Sequence, residues 1–190
     1  MSPSPARIAT NDVFRPIAAL LSGKVLNVGG SDGKKAGGGK TYKDFFPKAS
    51  QYLALDLCPG PGVDLVADAK HIPLADASCD VILCMYMLEH EKEYKQVLSE
   101  MARVASCGAV LLLAVPSYHR YHASLRCNDY WRWTRDAIVS DLLEAGFYTD
   151  RAMYAGNTVD LPLDSRLSYL GTVDDPKFEV VIVLAKRGSK

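Results

Sequence analysis

"VLNVGGSDG", residues 25–33, places a short apolar run directly before paired glycines. The run as a whole, Lys24–Val28, predicts a buried strand that ends at a tight turn. Similar apolar runs predict further strands at 52–57, 63–68, 80–86, 108–116 and 178–186. Near-continuous apolar strands separated by helical patterns indicate a parallel sheet that is covered on both faces.

Helical patterns lie between these strands. The apolar spacing from Tyr94 to Met101 predicts one helix, and Thr134 is predicted as the N-cap of another helix that ends at Gly146. Apolar residues over 13–21 predict a helix before the first strand. A helix tolerates proline only near its start, so Pro16 is expected there.

We therefore predict one doubly wound α/β domain over residues 1–190. Its parts are a loose N-terminal tail over 1–10, a core over 12–150, and C-terminal strands with an insertion over 151–190. Residues 155–176 are interpreted only as an irregular insertion before the final strand.

Composition narrows the function classes. Of the 190 residues, 48% are hydrophobic and 23% are charged, which is typical of a globular domain. The 22 basic and 22 acidic side chains give no net charge, which argues against bulk nucleic-acid binding. Five scattered cysteines without paired spacing indicate reduced thiols. No segment has the apolar length of a membrane span or signal peptide, so a cytoplasmic location is expected.

The glycine loop that follows the first strand is compatible with more than one ligand. It ends in Gly39-Lys40-Thr41, but a triphosphate cradle needs a glycine at position 34, where this chain has lysine. A dinucleotide fingerprint needs glycines at 28, 30 and 33, and position 28 is valine.

A third ligand is suggested by a family resemblance. Residues 25–33 resemble motif I of the class I S-adenosylmethionine-dependent methyltransferases, with Asn27 at the usual acidic position and Ser31 at the central glycine. Residues 65–104, "LVADAKHIPLADASCDVILCMYMLEHEKEYKQVLSEMARV", resemble the methyltransferase type 11 family over their whole length. Residues 108–116 resemble the fifth strand of that family, and residues 128–147 resemble the segment that follows this strand in its bacterial members. The resemblance implies a Rossmann-like, seven-stranded, mostly parallel sheet whose last strand is antiparallel.

The resemblance also implies a cofactor site for S-adenosyl-L-methionine. Asp56, at the end of the second strand run, would accept hydrogen bonds from both ribose hydroxyls, although an NAD enzyme would use the same residue. Asp68 would meet the adenine amino group. Gly29 and Gly30 would let the backbone approach the methionine moiety. The full implied set is Asn27, Gly29, Gly30, Ser31, Asp56, Leu57, Asp68, Ala69, Cys84 and Met85.

Two groups of residues are candidates for the acceptor side. His90 is the candidate general base, with Glu89 to orient it; alternatively, both residues only open the following helix. The substrate-side candidates after the fifth strand are Tyr118, His119, Tyr130, Trp131 and Arg132. The alternative interpretation of Trp131 and Trp133 is a core wedge. The spacing of His119, His122 and Cys127 matches no common zinc pattern, so no metal is expected.

We interpret the chain as a methyltransferase that acts on a small-molecule or glycan-like acceptor by in-line displacement. No bulk nucleic acid and no membrane is expected as a partner, and the sequence leaves the oligomeric state open. One alternative is a methyltransferase-like interaction module, which Asn27 and Ser31 favour. Another is an NAD-dependent oxidoreductase.

Overall fold

A computed structural model describes residues 5–31, 41–117, 121, 127–155 and 180–188 of the chain. Seven strands form one sheet in the order β3-β2-β1-β4-β5-β7-β6. The strands are β1 (Ser22–Val28), β2 (Lys48–Asp56), β3 (Leu65–Val66), β4 (Cys79–Met85), β5 (Ala105–Pro116), β6 (Phe147–Ala155) and β7 (Val180–Arg187). The helices are α1 (Pro5–Ala18), α2 (Tyr94–Val104) and α3 (Arg135–Ala145).

The strand directions confirm the predicted fold class. Strands β3, β2, β1, β4 and β5 run parallel, while β7 lies antiparallel to both β5 and β6. The order reverses at β1, from which the chain crosses first to β2 and β3 and later to β4 and β5. In open sheets of this kind, ligands bind beyond the carboxyl ends of the strands at the reversal point. The glycine turn after β1 lies at that point.

Two apolar layers cover the sheet. One contains the buried faces of α2 and α3 and the side chains of Leu26, Val28 and Leu55. The other contains α1 and a short 3-10 helix, Tyr42–Phe45, packed on the opposite face of β1 and β4. Both layers bury residues from the same strands, which explains why the strands are apolar on both faces.

The predicted ends of α3 are confirmed. The Thr134 hydroxyl accepts the Ala137 N–H at 3.2 Å, which satisfies one free amide at the helix start. Gly146 follows the helix with φ 89°, the left-handed conformation that glycine adopts without a Cβ penalty.

The prediction of a loose tail over 1–10 is wrong for residues 5–10, because α1 begins at Pro5. Ala6 and Thr10 are buried on its inner face. The Thr10 hydroxyl contacts the Tyr86 hydroxyl at 2.6 Å, so tertiary packing stabilises this turn of helix. The expectation for Pro16 is also wrong, since it lies two residues before the helix ends, with its ring exposed.

The predicted insertion at 155–176 falls on residues that, apart from Ala155 at the end of β6, are outside the described part of the chain. Within the described ranges, no helix combines the length and apolar character that crossing a bilayer requires.

Candidate functional site

The turn after β1 is built around Gly29 and Gly30. Both amides donate to the Leu55 carbonyl, at 2.8 and 2.9 Å, which ties the turn to the end of β2. Gly29 has φ 80°, and a Cβ there would lie 2.5 Å from a Met87 side-chain atom. A Cβ on Gly30 would lie 2.8 Å from the Ala54 Cβ. Glycine is therefore required at both positions, and the turn presents bare backbone at the carboxyl edge of the sheet.

The carboxylate of Asp56 lies beside this turn. One oxygen accepts the Ser31 N–H and the other accepts the Cys58 N–H, both at 3.1 Å. An ionised carboxylate offers about four acceptor positions, so about two remain for a ligand. Leu57, the next residue, has a largely exposed side chain (69%). The arrangement suits a neighbouring pair of hydroxyl groups.

A cavity of about 150 Å³ opens next to the glycine turn. Asn27 is buried at its wall, and the Tyr52 hydroxyl bonds to the Asn27 side chain. Burial raises the pKa of Tyr52 well above its usual value, so its phenol stays neutral. Lys43 and Asp64 also line the cavity. One cation and one anion in the wall of the cavity fit the carboxylate and amino groups of an amino-acid moiety.

Asp68 lies just after β3 in a tight turn, which we call the adenine-side loop (residues 67–71). One carboxylate oxygen accepts the Lys70 N–H at 2.9 Å, and the Asp68 carbonyl accepts the His71 N–H at 2.8 Å. The other oxygen lies 3.6 Å from the Lys70 Nζ. The side chain is about two-fifths exposed (39%), and Ala69 beside it is half-buried. Asp68 is thus held in place and still accessible to a ligand.

The end of β4 contributes backbone rather than side chains. Cys84 is fully buried in the α2–α3 layer, and Met85 is buried in the α1 layer. Burial, followed by the charge of Glu89, raises the pKa of the Cys84 thiol well above its usual value. A ligand at this position therefore meets main-chain atoms of Cys84 and Met85.

Tyr86, which the sequence did not single out, follows β4 with φ 55°. Positive φ is uncommon outside glycine and often marks a constrained site. The Arg7 guanidinium lies 4.6 Å from the Tyr86 ring centre and donates to the Tyr42 hydroxyl at 2.9 Å. Helix α1 therefore closes one side of the cleft. The sequence did not indicate this role for Tyr86, because the prediction of a loose tail over residues 5–10 leaves Tyr86 without a helix to contact.

His90 ends a 3-10 helix, Leu88–His90, at the carboxyl edge. Its Nδ1 lies 2.5 Å from the Asn128 carbonyl oxygen, so Nδ1 carries the proton and donates. Its Nε2 lies 3.9 Å from the Glu89 Oε1, and the Glu89 side chain is fully buried. The geometry orients the imidazole through Nδ1 and leaves Nε2 as the nitrogen with basic character.

We call residues 127–134 the acceptor-side segment. The Tyr130 N–H donates to the Glu89 carbonyl at 2.7 Å, and the Trp131 indole N–H donates to the Glu91 carbonyl at 3.0 Å. Tyr130 and Trp131 are 45% and 37% exposed. The structure therefore brings both aromatic rings to the same edge as His90.

The other residues predicted on the substrate side differ in what the structure shows of them. Arg132 forms a two-point ion pair with Asp129, whose side chain is fully buried, which raises the arginine pKa further. Tyr118 and His119 lie outside the described residues. Trp133 is buried and packs edge-on against Tyr94, which supports a core role for that tryptophan.

Within the described residues, no three His, Cys, Asp or Glu side chains are grouped so that they could hold a metal ion.

Comparison with known proteins gives a family match. Residues 36–113 match the family model described as a methyltransferase domain, type 11. This range is less than half of the chain. It contains Asp56, Asp68 and His90 but begins after the glycine turn. None of the curated proteins matches the sequence closely enough to count as a relative.

Solved structures share the fold at low identity. A SAM dependent methyltransferase from Aquifex aeolicus has 16% identity and a TM-score of 0.64, covering 97% of this chain and 93% of its own. A Burkholderia thailandensis 1,6-didemethyltoxoflavin-N1-methyltransferase with bound S-adenosylhomocysteine has 13% identity and a TM-score of 0.67, with 95% and 77% covered. The cyclase SpnF has 15% identity and a TM-score of 0.64, with 94% and 85% covered. The fold therefore accommodates more than one reaction.

Proposed function

We propose that this chain is a class I S-adenosylmethionine-dependent methyltransferase of the type 11 family, whose domain model matches residues 36–113. It transfers a methyl group to a small-molecule or glycan-like acceptor by in-line displacement. The observation that carries the acceptor class is the exposed pair Tyr130 and Trp131, held on the turn that bears His90.

The residues at the carboxyl edge fit the cofactor. Asp56 has about two acceptor positions for the ribose hydroxyls, and Asp68 has an accessible carboxylate for the adenine amino group. The cavity beside Gly30, with Lys43 and Asp64 in its wall, suits the amino-acid tail. When bound, the cofactor supplies a methyl group on a cationic sulfur, which is already a strong electrophile.

The protein's contribution is therefore mostly alignment. Holding two reacting atoms in line can lower a barrier by roughly 7 to 11 kcal/mol. The flat faces of Tyr130 and Trp131 suit an acceptor with rings, because aromatic faces pack well against planar rings and sugar faces. Helix α1 covers another part of this edge, where the Thr10 hydroxyl contacts the Tyr86 hydroxyl at 2.6 Å.

His90 serves as the general base in this proposal. Its Nδ1–H is fixed on the Asn128 carbonyl, so Nε2 accepts the proton that the acceptor loses, and the buried Glu89 carboxylate stabilises the resulting imidazolium. Positioned bases of this kind contribute about 10² to 10⁴ in rate. Glu89 acts through His90 and is a positioning residue.

The acceptor class is tested by following a labelled methyl group. The full-length protein is incubated with methyl-tritiated S-adenosylmethionine and a cell extract that has been separated by size. We expect label in the fraction of small molecules and free glycans, and none in a no-enzyme control. Label confined to the protein or nucleic-acid fraction would contradict the proposed acceptor class.

The same edge allows a matched test of His90. His90→Asn keeps a donor near the position of Nδ1 but removes Nε2, whereas His90→Gln keeps a polar atom near Nε2 and removes the Nδ1 donor. Once a labelled acceptor has been identified, the proposed role of His90 as general base predicts that His90→Asn loses about 10²-fold or more in kcat. Retained activity in His90→Asn and loss in His90→Gln would instead mean that His90 only holds Asn128.

Calorimetry separates the remaining alternatives. Titration with S-adenosylhomocysteine should give micromolar binding, while titration with NAD should give none. If neither ligand binds, an interaction module is favoured. If only NAD binds, an oxidoreductase is favoured.

A further inference from the structure

Lys70 occupies a position that the proposed reaction does not use. Its ammonium group lies 3.6 Å from Asp68 on one side, and 3.0 Å from Glu91 and 3.5 Å from Glu93 on the other. The side chain is only 18% exposed. The hydrogen bond from Lys70 to Glu91 is the main cause that raises the lysine pKa, so the ammonium stays charged. One cation therefore joins the adenine-side loop to the start of α2.

The partners of Lys70 are themselves fixed by the backbone. Asp68 accepts the Lys70 N–H at 2.9 Å, and Glu91 accepts the Glu93 N–H at 2.9 Å. Isolated surface ion pairs contribute little because the side chains lose entropy on pairing. Here the carboxylates are already ordered by backbone N–H groups, so pairing with Lys70 costs them little further entropy.

The residues on the far side of Lys70 also hold the acceptor-side segment. We call residues 88–93 the bridging turn. The Glu91 carbonyl accepts the Trp131 indole N–H at 3.0 Å, and the Glu89 carbonyl accepts the Tyr130 N–H at 2.7 Å. The bridging turn thus contacts the adenine-side loop through Lys70 and the acceptor-side segment through its own carbonyls.

We propose that Lys70 is a positioning residue that couples adenosine binding at Asp68 to the placement of Trp131. This inference rests on the proposed cofactor site. An adenine amino group that donates to Asp68 competes with Lys70 for that carboxylate. The ammonium then moves toward Glu91 and Glu93, and the carbonyl of Glu91 carries Trp131 with it.

A ligand shifts such an equilibrium only by binding one arrangement better than the other. In this proposal adenosine meets this condition, because its amino group pairs with Asp68, whose second oxygen lies 3.6 Å from the Lys70 ammonium, and not with Glu91. The coupling is reciprocal, so an acceptor that fixes Trp131 raises cofactor affinity by the same factor. Cofactor binding thereby prepares the aromatic surface on which the acceptor docks.

The chain offers a direct readout, since its only two tryptophans, Trp131 and Trp133, both lie in the acceptor-side segment. Full-length protein labelled with 5-fluorotryptophan gives one fluorine resonance for each, which a Trp131→Phe variant assigns. On titration with S-adenosylhomocysteine, we expect the Trp131 resonance to shift and the resonance of buried Trp133 to stay in place.

Variants then test the coupling. Lys70→Met should bind S-adenosylhomocysteine but lose most of the Trp131 shift, while Lys70→Arg should retain it. Glu91→Gln, which keeps the shape of the side chain, should reduce the shift even if Lys70→Met folds poorly. The matched control is Lys95→Met, since Lys95 also pairs with two carboxylates on α3 but does not face the adenine-side loop.

The outcomes separate this inference from the proposed function. If calorimetry shows binding while Trp131 does not respond, the coupling is overturned and the cofactor site stands. An undiminished shift in Lys70→Met also overturns the coupling. Absence of S-adenosylhomocysteine binding to the unmodified protein overturns both.

Discussion

Replacing Asp56 with alanine should weaken cofactor binding by a factor that the structure allows to be worked out. Two backbone amides, from Ser31 and Cys58, occupy two acceptor positions of the carboxylate. About two positions remain, one for each ribose hydroxyl. A hydrogen bond to a charged group contributes about 1.5 kcal/mol or more. Two such bonds give about 3 kcal/mol, or roughly a hundredfold in affinity.

Water that enters the vacated position recovers part of this loss, so the expected weakening lies between about tenfold and about a hundredfold. Asp56→Asn retains a single carbonyl acceptor and should fall between the unmodified protein and Asp56→Ala. Isothermal titration calorimetry with S-adenosylhomocysteine measures all three affinities directly.

Asp80 provides the control for this experiment. It also accepts a backbone N–H, from Lys24 at 2.8 Å, but it lies at the start of β4 and therefore at the opposite edge of the sheet. Asp80→Ala should lower the melting temperature and leave cofactor affinity unchanged. If Asp56→Ala binds the cofactor as tightly as Asp80→Ala does, the ribose lies elsewhere and the reasoning is refuted.

Three further outcomes concern stability and reactivity. Gly29→Ala should destabilise the fold by about 1 to 3 kcal/mol more than Gly108→Ala in urea unfolding, because both glycines have positive φ but only the first lacks room for a Cβ; equal losses would contradict this. The hydrogen bond from Arg103 lowers the pKa of Glu100 below its ordinary 4.5, so its stabilisation is complete above that pH and lost as the pH falls below it. Glu100→Gln should therefore destabilise at neutral pH and progressively less in acid, and a loss independent of pH would count against the pairing. The Cys84 thiol, buried and with a raised pKa, should react with a disulfide reagent only after unfolding, and fast reaction in the native state would contradict its burial.

Much of the fold could be predicted because its signals are local. A buried strand and the turn after it can be recognised from neighbouring residues alone, as an apolar run that stops at paired glycines. Thr134 and Gly146 mark the ends of α3 by satisfying helix-terminal groups a few residues away. Because parallel strands place their carboxyl ends at one edge, the predicted positions of Asp56 and His90 already pointed to one cleft.

Helix α1 could not be predicted to start at Pro5, because what stabilises its first turns lies far away in the sequence. The hydroxyl of the buried Thr10 contacts the hydroxyl of Tyr86, and Tyr86 lies 76 residues further along the chain. Propensity alone is too weak to fix a short helix, so packing decides where it begins.

The sequence by itself indicated six of the seven strands and the residue types at the carboxyl edge of the sheet, because these follow from periodicity and from the chemistry of single side chains. Strand β6 (Phe147–Ala155) was not among the predicted apolar runs. Only the tertiary structure decided that Lys70 joins Asp68 to Glu91, and that the turn bearing His90 holds Trp131. Those contacts connect residues about 20 to 40 positions apart, and no local pattern records which distant carboxylate or carbonyl a side chain will meet.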